Sequence, residues 1–81
     1  METETSLFER IVEASGLAPL IAPFTIRRLL IRCEIVPPEQ VTPEQLRRSL
    51  PALYDGLQRF LNEEERERAI TSLTELATAV T

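Results

Sequence analysis

The residues in this chain that could do chemistry are few, and most lack the partners that would make them reactive. Cys33 is the only cysteine and there is no histidine. A cysteine nucleophile would therefore have no imidazole base, and a zinc site of the usual nitrogen and sulfur donors cannot be assembled. Cys33 also sits within an apolar set, Ile26, Leu29, Leu30 and Cys33, which marks it as a core thiol. The thirteen carboxylates are numerous, yet many of them fall at helix starts or in i,i+4 pairs with arginine, where helix electrostatics already accounts for them. Gly16 and Gly56 are the only glycines, so no phosphate-cradling loop exists. Ser49, in "RRSLPAL", lacks the Asp-Ser-Leu setting of a phosphopantetheine-bearing serine. The expectation is a non-enzymatic chain with no cofactor and no metal.

The same residue types bound the other function classes. All nine basic residues are arginine, and against thirteen acids they leave a net charge of −4 over 81 residues, which argues against non-specific binding to nucleic acid or anionic membrane. No segment approaches the roughly 20 apolar residues that cross a bilayer. The start, "METETSLFER", lacks the basic and apolar regions of a secretory signal. A cytoplasmic location away from membranes is expected.

The elements that must position these residues read as helical throughout, with no strand alternation. Ser6 followed by Glu9 has capping-box spacing, Leu7, Phe8, Ile11, Val12 and Ser15 share a face, and Gly16 suits a left-handed stop with Leu17 folding back on Val12 in a Schellman ending. The first helix is placed at Leu7 to Ser15. Pro19 and Pro23 suit a turn leading into a second helix from about Pro23 to Ile35. Next comes a doublet of near-identical pentapeptides, Val36-Pro-Pro-Glu-Gln40 and Val41-Thr-Pro-Glu-Gln45. In the second copy Thr42 is an N-cap, Pro43 a favoured first position and Gln45 the third residue of a capping box, with Val41 and Leu46 spaced as a hydrophobic staple. The first copy, with two prolines in succession, is limited to one tight turn through Glu39 and Gln40. The doublet is thus punctuation between helices.

From Pro43 onward Leu46, Leu50, Leu53, Leu57 and Phe60 form one stripe that keeps phase across Pro51, so a third helix kinked or split there is expected, reaching about Leu61. Glu44 with Arg48 and Asp55 with Arg59 are favourable i,i+4 pairs on its solvated side. Asn62 with Glu65 opens a fourth helix, with Glu63, Glu64 and Glu65 where the helix dipole favours acids. Its apolar stripe is Ala69, Ile70, Leu73, Leu76, Ala77 and Val80. The fold class is all-α, a small bundle of four main helices forming one domain over residues 1–81, with residues 1–5 and 79–81 frayed.

One helix stands apart from the others. The segment 23–35 carries apolar residues on opposite sides: Ile26, Leu29, Leu30 and Cys33 on one, Phe24, Ile31 and Ile35 on the other. The first set has four neighbours in register and is assigned to the core. Two readings remain for the second set. Either this is the middle helix of the bundle, covered on both sides, or Phe24, Ile31 and Ile35, with Arg27, Arg28 and Arg32 around them, face a partner. The second makes the chain an adaptor, regulator or assembly subunit that binds a protein or a second copy of itself, a dimer being the expected oligomer. The alternative is a small DNA-binding regulator in which segment 42–61 forms a helix-turn-helix with Arg47 and Arg48 near the junction. Asp55 and the single Arg59 on the outer side of the second helix weigh against it.

Overall fold

The computed structural model describes residues 6–79, within which the chain forms four α-helices and no strand: α1 (Leu7–Ala14), α2 (Ala22–Arg32), α3 (Pro43–Leu57) and α4 (Glu63–Ala79). A single 3₁₀ turn, Pro38–Gln40, joins α2 to α3. The all-α, four-helix architecture is the one the periodicity implies. The expectations of fraying at 1–5 and 80–81, and of Val80 in the last stripe, lie outside the described residues, while α4 runs to Ala79.

Three of the four helices start on a side-chain cap, because the first amide N–H groups of a helix have no internal partner. Ser6 Oγ accepts from the Glu9 amide at 3.2 Å. At α3 the box is reciprocal: the Gln45 amide donates to Thr42 Oγ1 at 3.1 Å and the Thr42 amide donates to Gln45 Oε1 at 3.0 Å. Asn62 and Glu65 repeat that exchange at α4, with distances of 2.8 and 3.0 Å. The α2 start has no side-chain cap. It grows instead from a turn in which the Ile21 and Ala22 amides donate to the Ala18 carbonyl. The first copy of the doublet forms one tight turn, as two successive prolines require: the Gln40 amide donates to Pro37 and the Val41 amide to Pro38.

The helix ends differ more from expectation. Gly16 is left-handed, with φ of 76°. The turn is closed by a buried side chain rather than by Schellman backbone bonds, since Ser15 Oγ donates to the Val12 carbonyl at 2.7 Å and accepts from the Leu17 amide at 3.2 Å. A Schellman ending appears instead on α2, which stops at Arg32. The Glu34 amide donates to Ile31 at 2.8 Å and the Ile35 amide to Leu30 at 3.0 Å, with Glu34 itself left-handed at φ of 65°. This is the pair of bonds that defines the motif, and Ile35 and Leu30 are both buried in the core.

Pro51 neither splits α3 nor ends it: one helix runs from Pro43 to Leu57. Pro51 and Arg47 both lie on the exposed side, where water can bond the Arg47 carbonyl that the proline leaves unpaired. The helix stops four residues earlier than its apolar pattern implies, and the Phe60 and Leu61 amides both turn back to the Leu57 carbonyl.

The core is assembled from one stripe of each helix. Phe8 and Ile11, Ile26 and Leu30, Leu46, Leu53 and Leu57, and Ala69, Leu73 and Ala77 are all buried. Leu17, Ile35, Val41 and Leu61, from the connections, complete it. The most extensive pairing is α3 with α4, tied at its edge by the Tyr54 hydroxyl, which donates to Glu67 Oε2 at 2.7 Å, and by the Arg66 guanidinium 4.8 Å from the Tyr54 ring centroid. Gly56 serves a close approach. A Cβ there would collide with the end of the Leu29 side chain and lie 3.2 Å from Leu29 Cδ1, so the bare backbone lets α2 settle on α3.

Two measurements check these local arguments. Thr42→Ala is expected to cost about 1 kcal/mol through loss of the cap, while Thr78→Ala, whose exposed hydroxyl only bonds back to its own helix, leaves the denaturant midpoint nearly unchanged. At the α2 stop, a non-glycine residue in the left-handed region costs roughly 1–2 kcal/mol, and glycine returns about 0.4–1 kcal/mol of that as unfolded-state entropy. Glu34→Gly is therefore expected to be neutral to about 1.6 kcal/mol stabilising, and Glu34→Val clearly destabilising, in the same melts.

Candidate functional site

The outer side of α2 carries several uncovered large apolar side chains, with Val36, 72% exposed, a further one in the turn after it. Phe24 is 64% exposed and Ile31 45%. At i and i+7 they lie on one stripe, with Arg28 between them. Ile21, one turn earlier, is 43% exposed, and Leu20 in the preceding turn is 86% exposed. The opposite stripe, Ile26, Leu29 and Leu30, is buried as expected, with Cys33 partly so.

The six residues that the sequence nominated for a partner do not stay together. Phe24, Arg28, Ile31 and Arg32 are exposed on α2. Ile35 is 4% exposed, because the left-handed turn at Glu34 ends the helix before the stripe can reach it and sends the side chain into the core. Arg27 is held within the fold: its Nη2 lies 2.6 Å and its Nε 2.8 Å from Glu39 Oε2, and its guanidinium lies 5.9 Å from the Phe8 ring centroid. The Glu39 carboxyl is held below its ordinary value by a hydrogen bond from its own backbone N–H and by Arg27, against a desolvation that raises it. Arg27 thus fastens α2 to the 3₁₀ turn and to α1.

In place of these two, the fold supplies Arg59 and Phe60. The sequence pattern puts Phe60 on the core stripe of α3 and pairs Arg59 with Asp55, but both assignments need the helix to continue. It stops at Leu57, so Arg59 is no longer one helical turn from Asp55 and Phe60 swings outward to 48% exposure. Of the two expected pairs, Glu44 with Arg48 forms, at 3.4 Å, and Asp55 with Arg59 does not. Arg59 and Phe60 instead line a cleft between α2 and the end of α3, together with Thr25, Arg28, Leu29, Arg32 and Gly56. No carboxylate lines it, and among the described residues none of its three arginines is in an ion pair. The sequence signal for Leu20 and Ile21 was their place between Pro19 and Pro23, in a segment too constrained to join a helix stripe.

Other candidate chemistry finds no support in the geometry. Burial raises the Cys33 thiol above its ordinary value, and a raised thiol is a poor nucleophile. Among the described residues no group of three or more acidic, cysteine or histidine side chains is placed to hold a metal ion, and no helix is long and apolar enough to cross a membrane. Segment 42–61 contains one uninterrupted helix, so the two helices and turn of the DNA-binding alternative are not present there.

Comparison with protein-family models, with characterised proteins and with solved structures returned no match. The exposed face of α2 and its adjoining cleft must be interpreted from their own chemistry.

Truncation separates surface from core on the two sides of this helix. Ile35→Ala is expected to cost roughly 2–5 kcal/mol as a core truncation. Phe24→Ala, with most of its ring in water already, should fall within about 0.5 kcal/mol of the parent in urea melts.

Proposed function

We propose that this protein is a non-enzymatic protein–protein interaction module, an adaptor, regulator or assembly subunit that binds its partner on the outer face of α2. The observation that carries the reading is the uncovered apolar stripe of Phe24 and Ile31, continued by Ile21 and Leu20, in a chain whose other helices bury theirs. Soluble monomers seldom leave large apolar side chains contiguous on one face unless something covers them. Full burial of such a side chain from water contributes roughly 1.5–3 kcal/mol, and Ile31, already more than half covered, has about half of that left to gain. Arginine beside exposed aliphatic and aromatic groups is also the composition that interface centres favour over the rest of a surface.

The face is built on a rigid element. Its helix is anchored from below by Ile26, Leu29 and Leu30 in the core and from the side by Arg27 on Glu39. Little ordering of the docking surface is then required on binding, which keeps more of the contact energy as affinity.

The test is Ile31→Glu. It places a charge on the stripe at an exposed position, so circular dichroism should show unchanged helix content. Association, whether a second copy seen by light scattering or a cellular protein retained on the immobilised chain, should be lost in this variant and kept in Arg47→Ala, which lies elsewhere on the surface. A parent protein that is monomeric and retains nothing that Ile31→Glu releases would refute the proposal. Titration with duplex DNA at low and high salt addresses the other class, since a phosphate-binding surface shows steep salt dependence.

A further inference from the structure

The cleft beside the apolar stripe narrows what the partner must be. Its three arginines come from two separate elements, Arg28 and Arg32 from α2 and Arg59 from the turn after α3, and Phe60 stands beside them. The protein carries a net charge of −4, yet no carboxylate enters this cleft and no described residue pairs with these arginines. Local charge here is opposite in sign to that of the molecule. The cleft measures about 140 Å³, below the roughly 300–1,000 Å³ of small-molecule pockets. It is close to the roughly 150 Å³ that accommodates one benzene ring. The space suits a single bulky side chain rather than a cofactor.

We infer that the occupant of this face is an acidic protein segment, whose carboxylates meet Arg28, Arg32 and Arg59 while one bulky apolar side chain enters the cleft against Phe60 and its neighbours cover Phe24 and Ile31. The inference rests on the interaction reading above and adds the chemistry of the partner. A second copy of this chain fits less well: a two-fold interface sets the same patch against itself, which would bring three arginines toward three arginines at a cost in like-charge repulsion. An extended nucleic acid also fits less well. It would have to run past Glu63, Glu64 and Glu65, which open α4 three residues after Phe60, and phosphates gain nothing from Phe24 or Ile31. A short segment with alternating acidic and apolar groups satisfies both halves of the surface. Guanidinium groups favour such carboxylates through paired, planar hydrogen bonds.

The experiment is an unbiased selection of displayed random peptides, about 16 residues long and so able to form about four helical turns, on the intact protein, with the enriched peptides then compared on the triple variant Arg28→Glu/Arg32→Glu/Arg59→Glu. All three positions are exposed, and circular dichroism verifies that the variant keeps its helices. Enriched peptides are expected to carry several Asp or Glu residues around one or two bulky apolar residues. Made synthetically, they should bind more weakly at about 300 mM than at about 50 mM NaCl, since exposed charge pairs are screened. The triple Arg→Gln variant should lower affinity about tenfold, since each exposed pair is worth roughly a 1.4- to 5-fold factor. Enrichment of uncharged apolar peptides that Ile31→Glu abolishes and Arg→Gln does not would overturn the acidic partner while leaving the docking face standing. So would an absence of enriched peptides together with Ile31-dependent self-association. If no peptide is enriched and the protein is monomeric, both the inference and the interaction reading fail.

Discussion

The left-handed turn at Glu34 decides which side chains of α2 belong to the core and which to the surface. Two backbone hydrogen bonds, from Glu34 to Ile31 and from Ile35 to Leu30, close the helix in a Schellman ending at a residue that is not glycine. The conformation costs roughly 1–2 kcal/mol at such a residue. Burial of Ile35, which the turn makes possible, contributes roughly 1.5–3 kcal/mol, enough to offset that cost, and the two hydrogen bonds add to it. The consequence for function lies on the other side of the helix. With Ile35 drawn inward, the stripe of Phe24 and Ile31 loses its third member and faces water.

A second helix stop completes the surface. Had α3 continued past Leu57, Phe60 would have fallen on its buried stripe and Arg59 within reach of Asp55. Because it ends there, with Phe60 and Leu61 amides both returning to the Leu57 carbonyl, Leu61 takes the core position and its two predecessors are delivered to the cleft. Gly56 is the third element of this arrangement. Its missing side chain lets Leu29 press against the α3 backbone, which brings the Arg28 and Arg32 side of α2 up to Arg59. Packing inside and charge outside are thus set by the same contact.

Helix starts were legible in the sequence and helix stops were not, and the physical reason is the range of the forces involved. A start is set by groups within four residues: Ser6 with Glu9, Thr42 with Gln45 and Asn62 with Glu65 carry their own partners, so spacing alone identifies them. A stop without glycine depends on what the next apolar residue gains by leaving the helix, and that is a tertiary quantity. Gly16 was readable as a stop because it needs no such gain. Glu34 and Gln58 carry no local signal, so spacing alone puts Ile35 on the stripe of Phe24 and Ile31 and Phe60 on the core stripe of α3. Pro51 leaves α3 unsplit for a related reason: its lost hydrogen bond falls on the wet side of the helix, where the penalty is smallest. The apolar stripes, which average over a whole helix, survived these errors, and so did Phe24 and Ile31 as the exposed pair.

Charge is apportioned unevenly, and this gives the exposed arginines their meaning. Acids are tied to helix starts: Glu9, Glu44 and the run Glu63–Glu65 occupy first turns, where the partial positive charge of the helix end stabilises them. The matching use for arginine is the last turn, yet three of the four helices have no basic residue there, and Arg32 in α2 is the exception. Arg27, Arg48 and Arg66 have partners elsewhere in the fold, in Glu39, Glu44 and the Tyr54 ring. Arg28, Arg32 and Arg59 converge instead on one cleft with neither a carboxylate nor an aromatic face assigned to them beyond Phe60 at its rim. Three arginines lining one cleft without a carboxylate leave their charge for solvent or a partner to balance. A carboxylate arriving from another chain provides that balance, and the apolar stripe alongside supplies the surface on which such a chain can rest.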